Sequence, residues 1–137
     1  MRAIAAFTIL FAYTAYADDS PDQRRQKAED AYNAGVDAYQ ARDYETTVLR
    51  WEEAYRLRDV PEVAFNIAKL RFYKLDQPYA ARSWMRVFMR AMKYRLTQGV
   101  MLPPEVEDLS TAIASEILKD YEAQASKDVK ITRRGKR

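Results

Sequence analysis

The sequence contains no cysteine and no histidine. Without cysteine there can be no disulfide, no thiolate nucleophile and no acylated lipoprotein anchor. Without histidine the commonest general base near neutral pH and the commonest metal ligand are both missing. Glycine is scarce, three in 137 residues, and proline numbers five. So few turn formers leave little room for the closely spaced turns of a β-protein and favour an all-helical chain. No glycine-rich phosphate loop is present, serines are few, and the usual nucleophile–base pairs cannot be assembled. Adjacent carboxylates such as Glu52 and Glu53 point to different sides of a helix and do not converge. The expectation is a protein that is not an enzyme and that uses no cofactor and no metal. What is present, 48% hydrophobic and 31% charged residues, has the proportions of one folded domain with appendages.

The first stretch reads as a targeting segment. Arg2 precedes a nearly uncharged run over residues 3–16, rich in Phe, Ile, Leu and Ala. Ala15-Tyr16-Ala17 then places small residues at the two positions a signal peptidase reads, and Asp18-Asp19 follows. Residues 1–17 are therefore expected to be a signal peptide cleaved after Ala17, delivering the remainder to the periplasm or cell envelope. Retention as an anchor is the weaker alternative, because the run is shorter than the roughly 20 residues a membrane span needs.

The centre of the chain is one helical hairpin written twice, 33 residues apart. Ala31 falls on Ala64, Tyr32 on Phe65, Asn33 on Asn66, Tyr39 on Phe72, Asp43 on Asp76 and Trp51 on Trp84. A repeat of this period indicates stacked units sharing a continuous core. Ser20, Pro21 and Gln23 form a helix start with a capping box, and the helix is expected to reach about Arg42. Ala28, Ala31, Ala34, Gly35 and Ala38 give it a strip of small residues that admits a close neighbour. Asp43 caps the next helix, and residues 59–62 repeat that logic, with Asp59 before Pro61. The second hairpin carries Val63, Ile67, Leu70 and Phe72 on its first helix. Ala81, Trp84, Val87, Phe88, Ala91 and Met92 recur on its second. Thr97-Gln98-Gly99 breaks the pattern. After Pro103-Pro104 a last helix aligns Val106, Leu109, Ile113, Ile117 and Tyr121, a single stripe suited to covering the last unit. Met85, Met89, Met101 and Leu102 are read as contacts to that helix, with a dimer patch as the alternative.

These residues resemble the tetratricopeptide repeat (TPR) family, over roughly residues 28–94. The resemblance rests on Ala34-Gly35, Asp43-Tyr44, Trp51 and Ala54 in the first copy, and on Ile67-Ala68, Asp76, Ala80, Trp84 and Val87 in the second. Departures are Ala38 and Arg71 in place of an aromatic, Arg42 and Leu75 in place of the turn glycine, Thr47 in place of Ala, and Pro61 displaced by two. The resemblance implies an all-α fold: two TPR-like hairpins stacked in a short right-handed solenoid, closed by one C-terminal capping helix. The expected organisation is a signal peptide over 1–17, an N-terminal extension of the first helix over 18–27, and repeats over 28–60 and 61–95. A loop over 96–102, the capping helix over 103–125 and a basic flexible tail over 126–137 complete it.

Such arrays bind peptides or protein segments in the groove lined by the first helix of each hairpin. Carried over by position, the groove residues are Tyr32, Asn33, Val36 and Tyr39 from the first copy, and Phe65, Asn66, Lys69, Phe72 and Tyr73 from the second. The paired asparagines would hold a peptide backbone by hydrogen bonds, and the aromatics would supply contact area. Equally, aromatics at helical spacing serve as core, and Asn33 and Asn66 as bonds to a neighbouring turn. The family's carboxylate clamp is not expected, since Tyr32 and Val36 occupy its first-repeat positions.

Charge is distributed in blocks. Residues 18–62 hold twelve acids and seven bases, a net −5, whereas residues 63–102 hold eight bases and only Asp76, a net +7. Arg82, Arg86 and Arg90 share one helix face at i, i+4 and i+8, and Lys93 continues the basic strip. The strip and the tail offer a second reading, docking of an acidic partner or an anionic membrane surface, or self-association with the acidic first repeat. The alternative is a solvated face neutralised by neighbouring acids. No nucleic-acid partner is expected, because export and the lack of aromatics interleaved with the bases both argue against it.

Overall fold

Helix starts in this chain are set by proline and by side-chain caps. In a computed structural model that describes residues 19–135, four of the five helices begin on a proline: α1 (Pro21–Gln40), α3 (Pro61–Tyr73), α4 (Pro78–Thr97) and α5 (Pro104–Arg134). α2 (Tyr44–Leu57) begins after Asp43, whose carboxylate accepts from the Thr46 amide at 3.1 Å. Hydrogen bonding from Thr46, side chain first and backbone second, holds the Asp43 carboxyl below its ordinary pKa. At Ser20 the capping box forms in both directions, with Ser20 Oγ accepting from the Gln23 amide at 3.2 Å and Gln23 Oε1 from the Ser20 amide at 2.9 Å. Asp59 does not cap α3 as the sequence suggests. The N-cap falls on Val60 with no side-chain bond, and Pro61 at the first position has no amide proton that would need one. The two turns inside the hairpins each use a non-glycine residue at positive φ, Arg42 at 60° and Asp76 at 52°. The expected signal peptide lies outside the described residues. No helix among the described residues is long and apolar enough to cross a membrane.

Consecutive helices pack in pairs, α1 on α2 and α3 on α4, and the described residues contain no strand. Ala28, Ala31 and Gly35 form the buried edge of α1 against α2. At Gly35 an added Cβ would overlap Cδ1 and Nε1 of Trp51, so only glycine lets the indole lie this close. That indole stacks on Tyr32 at 5.6 Å and donates from Nε1 to the Tyr32 carbonyl at 3.3 Å. Thr47 is fully buried, and its hydroxyl is satisfied by the Asp43 carbonyl at 2.8 Å.

α3 is buried on two sides. Val63, Ile67 and Leu70 enter one apolar cluster with Val48 and Trp51 of α2. Ala64 and Ala68 enter a second with Ala81, Met85, Phe88 and Met92 of α4 and with Val106, Leu109, Ile113 and Ile117 of α5. Tyr55 and Trp84 touch both clusters and meet edge-on at 5.4 Å. Among the described residues, ion pairs tie the helices together: Arg71–Glu52 at 2.5 Å between α3 and α2, Arg95–Glu62 at 2.6 Å between α4 and α3, and Lys69–Glu105 at 3.5 Å between α3 and α5. Of these only Arg71–Glu52 is largely shielded from water. Met85, Met89 and Leu102 join the second cluster, as expected, whereas Met101 is exposed.

The last helix departs from the expected boundary. α5 does not stop at 125. It runs to Arg134, so residues 126–134 are helical where the sequence suggests a flexible tail. No proline or glycine interrupts it before Gly135, and extending an existing helix carries no new nucleation cost. Its buried stripe ends at Ile117, with Tyr121 exposed. Near its exposed part, Tyr79 Oη of α4 donates to Asp120 Oδ2 at 2.6 Å. Beyond it the helix continues for roughly 20 Å, at 1.5 Å per residue, with residues 121–131 exposed.

Candidate functional site

A cleft of ≈ 260 Å³ opens between α1 and α3, floored by α2. Its lining is Tyr39 from α1, Trp51 from α2, Asn66, Lys69, Leu70 and Tyr73 from α3, and Lys74 at the end of α3. The five from α3 fall at i, i+3, i+4, i+7 and i+8, one continuous helix face. Tyr39 stacks on Trp51 at 6.2 Å, so the floor is a rigid aromatic pair. Two ammonium groups stand at the rim, Lys69 at 5.5 Å over the Phe65 ring and Lys74 at 5.5 Å over the Tyr44 ring. No carboxylate is among its lining residues, although Lys69 pairs with Glu105 of α5 at 3.5 Å. Asn66 Nδ2 donates to Tyr32 Oη at 3.5 Å, a long bond that leaves most of the amide's capacity open. Chemically the cleft offers stacking area, amide and phenol hydrogen bonds and positive charge.

Four of the nine groove residues anticipated from sequence therefore meet here: Tyr39, Asn66, Lys69 and Tyr73. Tyr32 adjoins them through Asn66 but lies with Asn33 along a separate cleft of ≈ 370 Å³ beside Arg58 and Val60. Val36, Phe65 and Phe72 are half-buried and pack on the apolar clusters, Phe65 against Phe88 at 5.2 Å. Those three support the helices from behind and do not line the cleft. Trp51, Leu70 and Lys74 are lining residues that the positional carry-over missed. Continuing the helical period from Asn66 through Lys69 finds Leu70 and Lys74, and the close fit of Trp51 on Gly35 explains why an indole reaches the floor.

The basic strip lies elsewhere, on α4. Among the described residues none of Arg82, Arg86, Arg90 and Lys93 forms an ion pair; Arg82 stacks over Tyr79 at 5.7 Å. The strip is thus not neutralised by direct ion pairs with acids of the fold. Arg82 and Arg86 flank a second, more apolar cleft of ≈ 230 Å³ between α4 and α5, lined also by Met85, Met89, Ser110, Ile113 and Ala114. No cluster of three or more metal-ligating side chains occurs among the described residues. Comparison with family models, with curated proteins and with solved structures finds no match for this chain.

Proposed function

We propose that the chain is an exported, non-enzymatic adaptor of TPR-like build, two hairpins in a short right-handed solenoid with a capping helix. It holds an extended peptide or protein segment in the cleft between α1 and α3. The observation that carries this reading is the convergence of Tyr39, Asn66, Lys69 and Tyr73, picked from two copies of the repeat, on one cleft with an aromatic floor and no carboxylate among its lining residues. The repeat's own logic supports the build: Trp51 and Trp84 sit at matching places in successive helix pairs, and α3 shares its surface between both clusters. In such a site the asparagine reads the peptide backbone, the aromatics bury its side chains and the lysines favour acidic neighbours.

The test is a peptide display library panned on the purified chain, with affinities of the enriched peptides measured by fluorescence polarisation. The double variant Asn66→Ala, Lys69→Ala should bind them at least ~10-fold more weakly, with its helical circular dichroism unchanged. Peptides that bind the variant as tightly as the parent would remove the cleft assignment. That the strip forms no ion pair among the described residues favours a second reading, docking of an acidic partner or an anionic membrane surface on α4. Peptides indifferent to the cleft variant but lost on Arg90→Glu, Lys93→Glu would move the function there.

A further inference from the structure

α5 carries a second stripe beside its buried one. Ser110, Ala114, Leu118, Tyr121 and Ala125 recur at steps of four, four, three and four, and so share one face of the helix. Ser110 and Ala114 line the α4–α5 cleft at one end of that face, while Leu118 and Tyr121 are 59% and 61% exposed at the other. The stripe is built for helix contact, small residues where a neighbour must come close and one large aromatic as anchor. Its flanks are acidic at Glu107 and Glu122, and neither forms an ion pair among the described residues. The opposing wall of the cleft is basic, with Arg82 and Arg86. One surface thus holds both halves of a complementary pair, an apolar slot with arginines and an apolar ridge with acids. An anionic membrane would meet the acids with repulsion. A second copy of the chain would not.

We propose that the chain forms a two-fold symmetric dimer in which the α5 helices cross antiparallel about Leu118. Tyr121 of each copy enters the α4–α5 cleft of the other, and Glu122 pairs with Arg86. An antiparallel arrangement centred there brings residue 122 of one helix level with residue 114 of the other, which lines the same cleft as Arg86. The cleft floor contains Met85 and Met89, side chains flexible enough to close around an aromatic ring. The same pairing repeats by symmetry on the other side, which is what a self-complementary interface requires.

Sedimentation velocity over a concentration series tests this, on the full chain in the form that cells accumulate. The parent should pass from monomer to dimer as concentration rises. Arg86→Glu alone and Glu122→Arg alone should each associate at least ~10-fold more weakly, because like charges then face each other twice. Mixing the two variants should restore the dimer as a heterodimer, since opposite charges again face across both pairs, and that recovery shows at once that each variant is folded. Tyr121→Ala should also abolish association without changing net charge or the monomer's helicity. A parent that stays monomeric throughout, a dimer that survives all three substitutions, or a mixture that fails to recover would each overturn the proposal. In the last case, binding of the parent to anionic vesicles would assign the arginines to a membrane surface.

Discussion

Gly35 and Trp51 show how much of this molecule hangs on single atoms. An exposed helical glycine replaced by alanine normally gains about 1 kcal/mol, because alanine loses less backbone freedom on folding. Here the new methyl group would press on the indole edge, and the indole cannot swing away freely, being stacked between Tyr32 and Tyr39 and hydrogen-bonded to the Tyr32 carbonyl. Overpacking of this kind costs ~1–3 kcal/mol, enough to reverse the propensity gain. Gly35→Ala should therefore lower the urea midpoint at constant m-value. A midpoint equal to or above the parent's would mean that the α1–α2 contact is looser than the stacking implies. The small-residue strip was legible in the sequence, but its edges were not: Ala34 is exposed and Ala38 half-buried. Alanine fits either side of a helix, so only the i, i+3, i+7 subset Ala28, Ala31 and Gly35 marks the contact line.

At the scale of the element, α5 is two helices in one. Its first four turns bury a stripe against α3 and α4, and its described side chains from Leu118 to Ile131 are exposed. Removing residues 126–137 should change the unfolding free energy by no more than ~0.5 kcal/mol, because residues 126–131 are exposed. It should also lower the far-UV helical signal of the chain by about the share that helical residues 126–134 hold. An unchanged signal would show that the segment is not helical in solution. Several element starts were legible because they rest on local chemistry: Ser20 with Gln23, Asp43 with Thr46, and a proline at the first position of α3 and α5. The end of α5 is not legible, because the point where an apolar stripe stops does not mark where the helix stops. Continuation needs only the absence of a breaker. The cleft was half legible for a similar reason. Matching positions between copies names first-helix residues such as Asn66, yet depth in a cleft depends on which faces turn inward. That turned Phe65 and Phe72 toward the core and Lys74 toward the opening.

For the whole molecule the decisive feature is that α3 belongs to both clusters. In a linear array each unit leans only on its neighbours, and a break between units lets the parts unfold separately. Here the break would have to pass through α3, or between Tyr55 and Trp84, which each touch both clusters, and across the shielded Arg71–Glu52 pair. Ile67 is fully buried in the first cluster, while Ala64 and Ala68 of the same helix face the second. Ile67→Ala should cost ~2–5 kcal/mol, the usual range for deleting a buried aliphatic side chain, and should weaken both hairpins together. In a Trp84→Phe background the fluorescence of Trp51 reports the first hairpin, whereas far-UV circular dichroism reports every helix. The two signals should shift to the same lower urea midpoint and stay superimposable, the mark of a single transition. If fluorescence moved and ellipticity kept a second, later step, α4 and α5 would hold their structure without the first hairpin. Coupling through α3 would then be weaker than its burial on both sides requires. A single transition would instead mean that a ligand seated between α1 and α3 stabilises all five helices at once, by mass action on the folded state.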